Sequence, residues 1–398
     1  MGIAHVVLLM AATVPVAAPP AGACSNPQPA QPVITALPWA QRTLDPASVW
    51  PFSTGRGVTV AVVDSGVDRD HPQLRARGAV LRGEDFHLVG SLPGAFDCDS
   101  HGTAVASIVA ARPVAGAGFA GLAPGATILP VRVSDRGLTD DGAVEMIDPD
   151  VLARGIWYAA DHGAKVMNLS LAGAGDHPRI RDAIRHAVAK DVVVVAAAGN
   201  GQRGRAPQVS YPAAYDGVLG VGAIDEAGQR LDGSQIGSQV DLVAPGGDVL
   251  AASRAGGHQY WQGTSFAAPF VAATAALVRS AWPELSALEV AKRILATATP
   301  APGGQGSRAY GAGLVNPYRA VTDQLVTSAP ASVPPVSRPL APVPRAPVPA
   351  LPILAVAVAV CLVLLLGRFV VARGVRPPRR AAPLADRPAT VDVPDRLF

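Results

Sequence analysis

The fold is decided by a short apolar run that ends on a carboxylate, Val60-Ala61-Val62-Val63-Asp64-Ser65-Gly66-Val67. Similar β-branched runs recur along the chain, and each is followed by a longer Ala-rich stretch. Continuous apolar strands that alternate with helices are typical of a parallel sheet covered on both faces. We therefore predict an α/β fold with a doubly wound parallel sheet and helices on both faces.

The predicted strands and helices alternate along the middle of the chain. Strands are predicted at 58–63, 126–133, 165–169, 192–197 and 218–223, and helices at 102–111, 150–162, 177–190, 265–281 and 286–296. In such sheets the functional groups collect where the strands end at their carboxyl side. Chemistry is therefore expected at residues that close a strand or open a helix.

Three short motifs occupy such positions. Asp64 closes the first strand, His101 opens the helix that begins His101-Gly102-Thr103, and Ser265 opens the helix in Gly263-Thr264-Ser265. Each motif alone has a commoner explanation as a turn or a helix cap. A serine hydroxyl, however, becomes a nucleophile only when a histidine takes its proton and a carboxylate orients that histidine. Their joint occurrence predicts a catalytic triad of these three residues, with the helix start helping to stabilise an oxyanion.

The order Asp, His, Ser along the chain is that of subtilisin. The motifs DSGVD, HGT and GTSFAAP resemble the three signature blocks of the subtilase family, and the resemblance extends over residues 56–318. It implies a subtilisin-like fold, with Asn200 of Ala196-Ala197-Ala198-Gly199-Asn200 as the side-chain donor of the oxyanion hole. It also implies that the main chain of Ser170, Leu171 and Ala172 binds an extended substrate.

Both ends of the chain predict export. Residues 3–18 are apolar and Ala21-Gly22-Ala23 resembles a signal-peptidase site, so 1–23 is predicted to be a signal peptide. Residues 24–51 are too few for an inhibitory domain that folds alone, and they are expected to pack on a catalytic domain at 52–325. Cys24 could be a lipoprotein cysteine. It could also pair with Cys98 in an oxidising compartment, or both could remain free thiols.

A membrane anchor is predicted after the catalytic domain. Residues 326–349 form a Pro-rich linker, for which a ligand of a proline-binding module is the alternative, and 350–371 is an apolar run of nearly spanning length. Seven Arg and three Asp lie from Arg368 to Phe398. Positive charge on that flank predicts a single-pass transmembrane helix, a cytoplasmic tail at 372–398 and a catalytic domain outside the cell membrane.

The charge pattern argues against nucleic acid as a partner. The net charge is +3, and the basic tail accounts for it, so the rest of the chain lacks the basic face that a nucleic-acid binder needs. The acidic residues Asp140, Asp141, Asp148 and Asp150 do not match the spacing of a calcium loop. Neither a metal nor a cofactor is predicted.

Within the subtilases the arrangement is similar to the mycosins, proteases associated with type VII secretion in actinobacteria. The resemblance rests on the signal peptide, the short extension, the Pro-rich linker and the C-terminal helix. It implies a membrane-anchored serine endopeptidase that cleaves exported polypeptides beside the secretion apparatus. A structural stabiliser of that apparatus and a general cell-surface subtilase are the alternatives.

Overall fold

A seven-stranded parallel sheet forms the centre of the protein. The computed structural model describes residues 23–24, 27–88, 92–135, 147–202, 206–304, 306–325 and 390–392. The strands are β1 (Thr59–Asp64), β2 (Glu84–Asp85), β3 (Thr127–Arg132), β4 (Val166–Leu169), β5 (Val193–Ala197), β6 (Val218–Ile224) and β7 (Leu242–Pro245). Their order is β2-β3-β1-β4-β5-β6-β7, and all neighbours run parallel. The predicted α/β class and parallel sheet are confirmed, whereas β2 and β7 were not predicted.

The five long helices lie within one residue of their predicted ends. They are α3 (His101–Ala110), α4 (Pro149–Asp161), α5 (Pro178–Ala189), α6 (Thr264–Ala281) and α7 (Ala287–Thr297). Three short helices, α1 (Trp39–Leu44), α2 (Pro46–Val49) and α8 (Pro317–Thr322), have no clear periodic signal in the sequence. They are only four to six residues long, and tertiary packing decides whether such short segments become helical.

Helices cover the sheet on both faces. On one face α4 and α5 pack Ile156 and Ile184 against Met167 of β4. On the other face α3 and α6 pack against Val60, Val195 and other strand residues. Every residue of α6 from Thr264 to Arg279 is buried, which suits a helix built largely from alanine because small side chains let it lie close to the sheet. The two cores hold β1, α3 and α6, which carry the three residues of the predicted triad.

A second, three-stranded sheet lies beside the main one. It consists of β8 (Val249–Ala252), β9 (His258–Gln262) and β10 (Thr390–Asp392), with β8 and β9 antiparallel and β9 and β10 parallel. None of these strands was predicted. β10 belongs to the segment 372–398 predicted to be a cytoplasmic tail. The cytoplasmic location of that segment stays a prediction.

Residues 27–36 of the N-terminal extension run along the catalytic domain without helix or strand. They make four hydrogen bonds between main chains, from Gln28 N to Cys98 O (3.0 Å), Gln31 N to Gly256 O (2.9 Å), His258 N to Pro32 O (3.0 Å) and Gly118 N to Ile34 O (3.0 Å). The sulfur atoms of Cys24 and Cys98 lie within bonding distance, with their Cα atoms 5.5 Å apart. Trp39 at the start of α1 is buried and donates from Nε1 to Gly247 O (2.9 Å).

A buried histidine also holds the extension. The Nδ1 atom of His258 accepts a hydrogen bond from Ile34 N (3.1 Å), and its Nε2 contacts Oε1 of Gln73 (2.7 Å). Burial, reinforced by the neighbouring His71, lowers the pKa of His258 to about 4. The ring is therefore neutral near pH 7, and its Nδ1 can act as an acceptor.

No described helix is both long and apolar enough to cross a lipid bilayer. The signal peptide predicted at 1–23 lies almost wholly outside the described residues, as does the predicted cytoplasmic tail apart from β10. The predicted linker 326–349 and membrane helix 350–371 lie entirely outside them.

Two neighbouring glycines test the docking of the extension. Gly256 and Gly257 both have positive φ (128° and 77°), so Ala at either costs about 1–3 kcal/mol of backbone strain. A Cβ at Gly257 would lie 1.6 Å from Gln31 O, whereas one at Gly256 would meet nothing within 4 Å. We expect Gly257→Ala to displace residues 27–36, with faster limited proteolysis there and a lower Tm than Gly256→Ala. Equal behaviour of the two variants would contradict this packing.

Candidate active site

Asp64 and His101 form a buried hydrogen-bonded pair. Asp64 is the last residue of β1 and His101 the first of α3, and Nδ1 of His101 lies 2.6 Å from Oδ1 of Asp64. Their exposed fractions are 0% and 2%. The same carboxylate oxygen accepts the main-chain N–H of Ser65 (2.8 Å). An ionised carboxylate only accepts hydrogen bonds, so the Nδ1 atom carries the proton and Nε2 is left as the basic nitrogen.

Two glycines allow β1 and α3 to meet this closely. A Cβ at Gly102 would lie 2.0 Å from Gly66 O, and a Cβ at Gly66 would lie 2.0 Å from Phe96 O. Gly66 also has φ of 100°, which other residues rarely adopt. The glycines that follow Asp64 and His101 in the motifs therefore have a steric function at this contact.

Ser265 lies in the first turn of α6. Gly263, two residues before it, has a φ of 131°, which is accessible to glycine. Ser265 itself is buried, with 2% of its surface exposed. The ring of Phe266, the next residue, is 5.0 Å from the ring of His101. The start of α6 is thus next to the histidine. The hydrogen bond between the Ser265 hydroxyl and Nε2 of His101 stays a prediction.

Asn200 is oriented by Thr264, the residue before Ser265. Its Oδ1 atom accepts hydrogen bonds from N (2.9 Å) and Oγ1 (3.1 Å) of Thr264. This leaves the NH₂ group as the donating end of the amide. A Cβ at Gly263 would lie 3.1 Å from Nδ2, so glycine keeps the space beside that group open. The arrangement is suited to a donor for a developing oxyanion.

The predicted substrate-binding residues follow β4. Ser170 and Leu171 are fully buried and Ala172 is 8% exposed. The Ser170 hydroxyl accepts from Nδ2 of Asn168 (2.8 Å) and donates to Ser265 O (2.5 Å). The side chain of Ser170 thereby supports the catalytic helix, a role that sequence reasoning missed. Substrate binding by the main chain of these three residues stays a prediction.

Sequence reasoning also missed Thr264 and a buried cluster around Asp97. Thr264 belongs to the GTS motif, which was interpreted only as the start of a helix that carries Ser265. The bonds from Thr264 to Asn200 were therefore not predicted. Asp97 lies four residues before His101 and carries no motif that separates it from a loop carboxylate. Its partners Ser65 and Thr103 belong to the DSG and HGT motifs, and only the structure brings the three together.

A cleft of about 820 Å³ opens beside Asn200. It is lined in part by Gly263, Gln262, Asp232 and Arg230, residues that precede the catalytic helix or follow β6. The cleft therefore lies next to the predicted oxyanion-hole residue. In the part of the chain that the structure describes, no group of three or more His, Cys, Asp or Glu residues is arranged to hold a metal ion.

Comparison with known proteins agrees with this geometry. The model of the subtilase family, Peptidase S8, matches residues 55–313. The intracellular serine protease of Paenibacillus polymyxa is 35% identical over 250 residues, which are 62% of this chain and 74% of that protein. The Bacillus subtilisins and related proteinases match at 37–38% identity, and several are covered over slightly less than two thirds of their length.

Solved structures of mycosins are similar over most of the chain. MycP1 from Mycobacterium smegmatis is 31% identical with a TM-score of 0.65, and the match covers 79% of this chain and 92% of that one. The MycP3 protease from the type VII (ESX-3) secretion system is 33% identical with a TM-score of 0.64, over 78% of this chain and all of that one.

A family model that spans all three motifs and a curated relative matched over most of its length lead to one conclusion. The chain belongs to the subtilase family of serine-type endopeptidases and is structurally close to the mycosins.

Proposed function

We propose that the chain cleaves exported polypeptides outside the cell membrane with Asp64, His101 and Ser265 as its catalytic triad, beside a type VII secretion apparatus. The observation that carries the proposal is the buried 2.6 Å hydrogen bond between Asp64 and His101 next to the first turn of α6. A buried carboxylate that holds one imidazole nitrogen leaves the other as a base for a nearby hydroxyl.

The chemistry follows from that arrangement. Nε2 of His101 takes the proton of the Ser265 hydroxyl as its oxygen attacks a peptide carbonyl, and Asp64 stabilises the imidazolium that forms. The imidazolium then gives the proton to the leaving amine, and an acyl-enzyme remains. Water hydrolyses the acyl-enzyme by the same proton transfers in reverse order.

The oxyanion of each tetrahedral intermediate is held by two donors. One is Nδ2 of Asn200, supported by the bonds that fix its oxygen on Thr264. The other is the main-chain N–H of Ser265 in the first turn of α6, where the helix dipole also favours negative charge. The acyl side of the substrate pairs with the main chain of Ser170, Leu171 and Ala172.

The proposed location is extracytoplasmic, with anchorage by the apolar segment 350–371 after removal of the signal peptide 1–23. The signal-peptidase site and the arginines that follow the apolar segment support it. Cys24 and Cys98 form a disulfide there, because an exported protein meets an oxidising compartment. The similarity to MycP1, described as an essential component of the type VII (ESX-1) secretion system, supports the association with that apparatus.

Ser265→Ala should abolish both covalent labelling by a fluorophosphonate and hydrolysis of denatured casein, because the nucleophile is lost. Its thermal unfolding should resemble that of the parent, since only one hydroxyl is removed. Ser238→Ala, at an exposed serine, is the matched control and should retain both activities. Persistent labelling of Ser265→Ala would show that the triad is assigned wrongly.

The same variant separates catalysis from a structural role in the secretion apparatus. A complex that assembles and secretes normally with Ser265→Ala would favour the scaffold function. A complex that assembles but exports uncleaved substrate would favour the protease function.

Asn200→Ala should lower kcat about 10²–10³-fold with a small change in KM, because the lost donor acts on the oxyanion and not on the bound substrate. This is the range measured when one such donor is removed from a subtilisin. The measurement is steady-state hydrolysis of a casein-derived peptide, with the thermal unfolding of Asn200→Ala measured beside that of the parent as a check of general stability. A kcat that stayed within a few fold of the parent would exclude Asn200 from the oxyanion hole.

A membrane-impermeant maleimide tests the proposed location on intact cells. Ser238→Cys in the catalytic domain should be labelled, and Cys24 and Cys98 of the parent chain should react only after reduction. Thr390→Cys tests the location of the tail: no labelling before cell lysis indicates a cytoplasmic tail, and labelling indicates a tail outside the cell, where β10 can pair with β9. An unlabelled Ser238→Cys would overturn the extracytoplasmic location.

A further inference from the structure

A second buried carboxylate lies directly behind the catalytic pair. Asp97 is 2% exposed and receives four hydrogen bonds. They come from Ser65 Oγ (3.0 Å), Asp99 N (3.0 Å), Thr103 N (2.9 Å) and Thr103 Oγ1 (2.6 Å). Two of these partners, Ser65 and Thr103, follow Asp64 and His101 by one and two residues.

The bonds of Asp97 converge on the catalytic pair from both sides. The Ser65 hydroxyl donates to Asp97 and accepts the N–H of Gly102 (2.9 Å), the residue after His101. The N–H of Ser65 donates to the same oxygen of Asp64 that His101 contacts. Asp97 therefore holds the end of β1 and the first turn of α3 in one network.

We propose that Asp97 is a positioning residue that sets the distance and orientation of Asp64 and His101, an inference that rests on the proposed protease function. Asp97 reaches no substrate itself and acts through Ser65, Gly102 and Thr103. Its negative charge, a few residues from His101 in the fold, also favours the imidazolium that forms during the reaction.

The carboxylate of Asp97 lowers the stability of the fold at neutral pH, so we attribute its presence to function. Burial, with a smaller contribution from the negative charge of Asp64, raises the pKa of Asp97 to about 6. The hydrogen bonds from Thr103 and Asp99 lower this pKa but do not offset the effect of burial. The group is ionised at neutral pH although the fold disfavours the charge. Between the unfolded value of 3.8 and about 6 the folded state binds more protons, so the free energy of unfolding falls as pH rises. A neutral residue would avoid this cost.

The other charged groups around Asp97 complete its electrostatic setting. Arg254 donates from Nε to Asp97 O (2.8 Å), and Arg132, paired with Asp85 and Asp135, donates from Nε to Ser65 O (3.1 Å). Both guanidinium groups bind main-chain oxygens nearby. The remaining groups that face the network are Asp64, Asp68, Asp99 and His101.

Asp97→Asn is the direct test. An amide cannot accept all four bonds, so the second-order rate constant for labelling by a fluorophosphonate should fall about 10- to 100-fold. The acid limb of its pH profile, which reports loss of a proton from the catalytic base, should move to lower pH because a buried negative charge is gone. Asp182→Asn removes an equal charge from an exposed carboxylate of α5 that pairs with Arg185, and it should change neither quantity appreciably.

Thr103→Val separates position from charge. It removes one hydrogen bond to Asp97 and keeps the carboxylate, so the rate constant should fall without a shift of the acid limb. It also keeps the test decisive if Asp97→Asn fails to fold. Parent-like rates and pH profiles in the variants that fold would overturn the inference. A parent chain that is not labelled at all would instead overturn the proposed protease function.

Discussion

The close contact between the end of β1 and the start of α3 is the constraint on which the rest of the structure depends. A Cβ at Gly102 would lie 2.0 Å from Gly66 O, and a Cβ at Gly66 would lie 2.0 Å from Phe96 O in the loop before α3. Only at this separation can Asp64 and His101 share a 2.6 Å hydrogen bond. A larger residue at Gly102 would force the helix away from the segment after β1, and one at Gly66 would displace the loop that carries Phe96, so the site and the local fold depend on the same steric condition.

Hydrogen bonds and ion pairs stabilise the buried polar groups at this contact. Asp64, Asp97 and Arg132 are all almost fully buried, and each has charged or main-chain partners within hydrogen-bond distance. Isolated buried charges would cost several kcal/mol each, which pairing offsets. The long apolar helix α6 and the strands around it exclude water from the network. This exclusion strengthens the electrostatic interactions on which proton transfer depends.

The N-terminal extension contacts the catalytic domain close to this region. It reaches the loop of Asp97 through Gln28 and Cys98, and it reaches the start of β9 through Pro32 and Ile34. β9 leads within a few residues to Gly263 and α6. The extension thus contacts both chain segments that lead into the site. Hydrogen bonds to these segments hold it in place, and it does not form a core of its own.

The sequence alone determined the parallel α/β class, the five long helices and the residues of the candidate site, because apolar periodicity and strongly constrained motifs are local properties of the chain. It could not determine β8, β9 and β10, whose pairing depends on partners distant in sequence. Nor could it indicate that Asp97, Ser65 and Thr103 form one network, or that Thr264 orients Asn200. Those contacts arise only when separate strand ends and helix starts converge, and hydrogen bonds between such groups have no periodic signal. Tertiary structure therefore decided how the site is held, whereas the sequence predicted the triad candidates Asp64, His101 and Ser265 and the donor candidate Asn200.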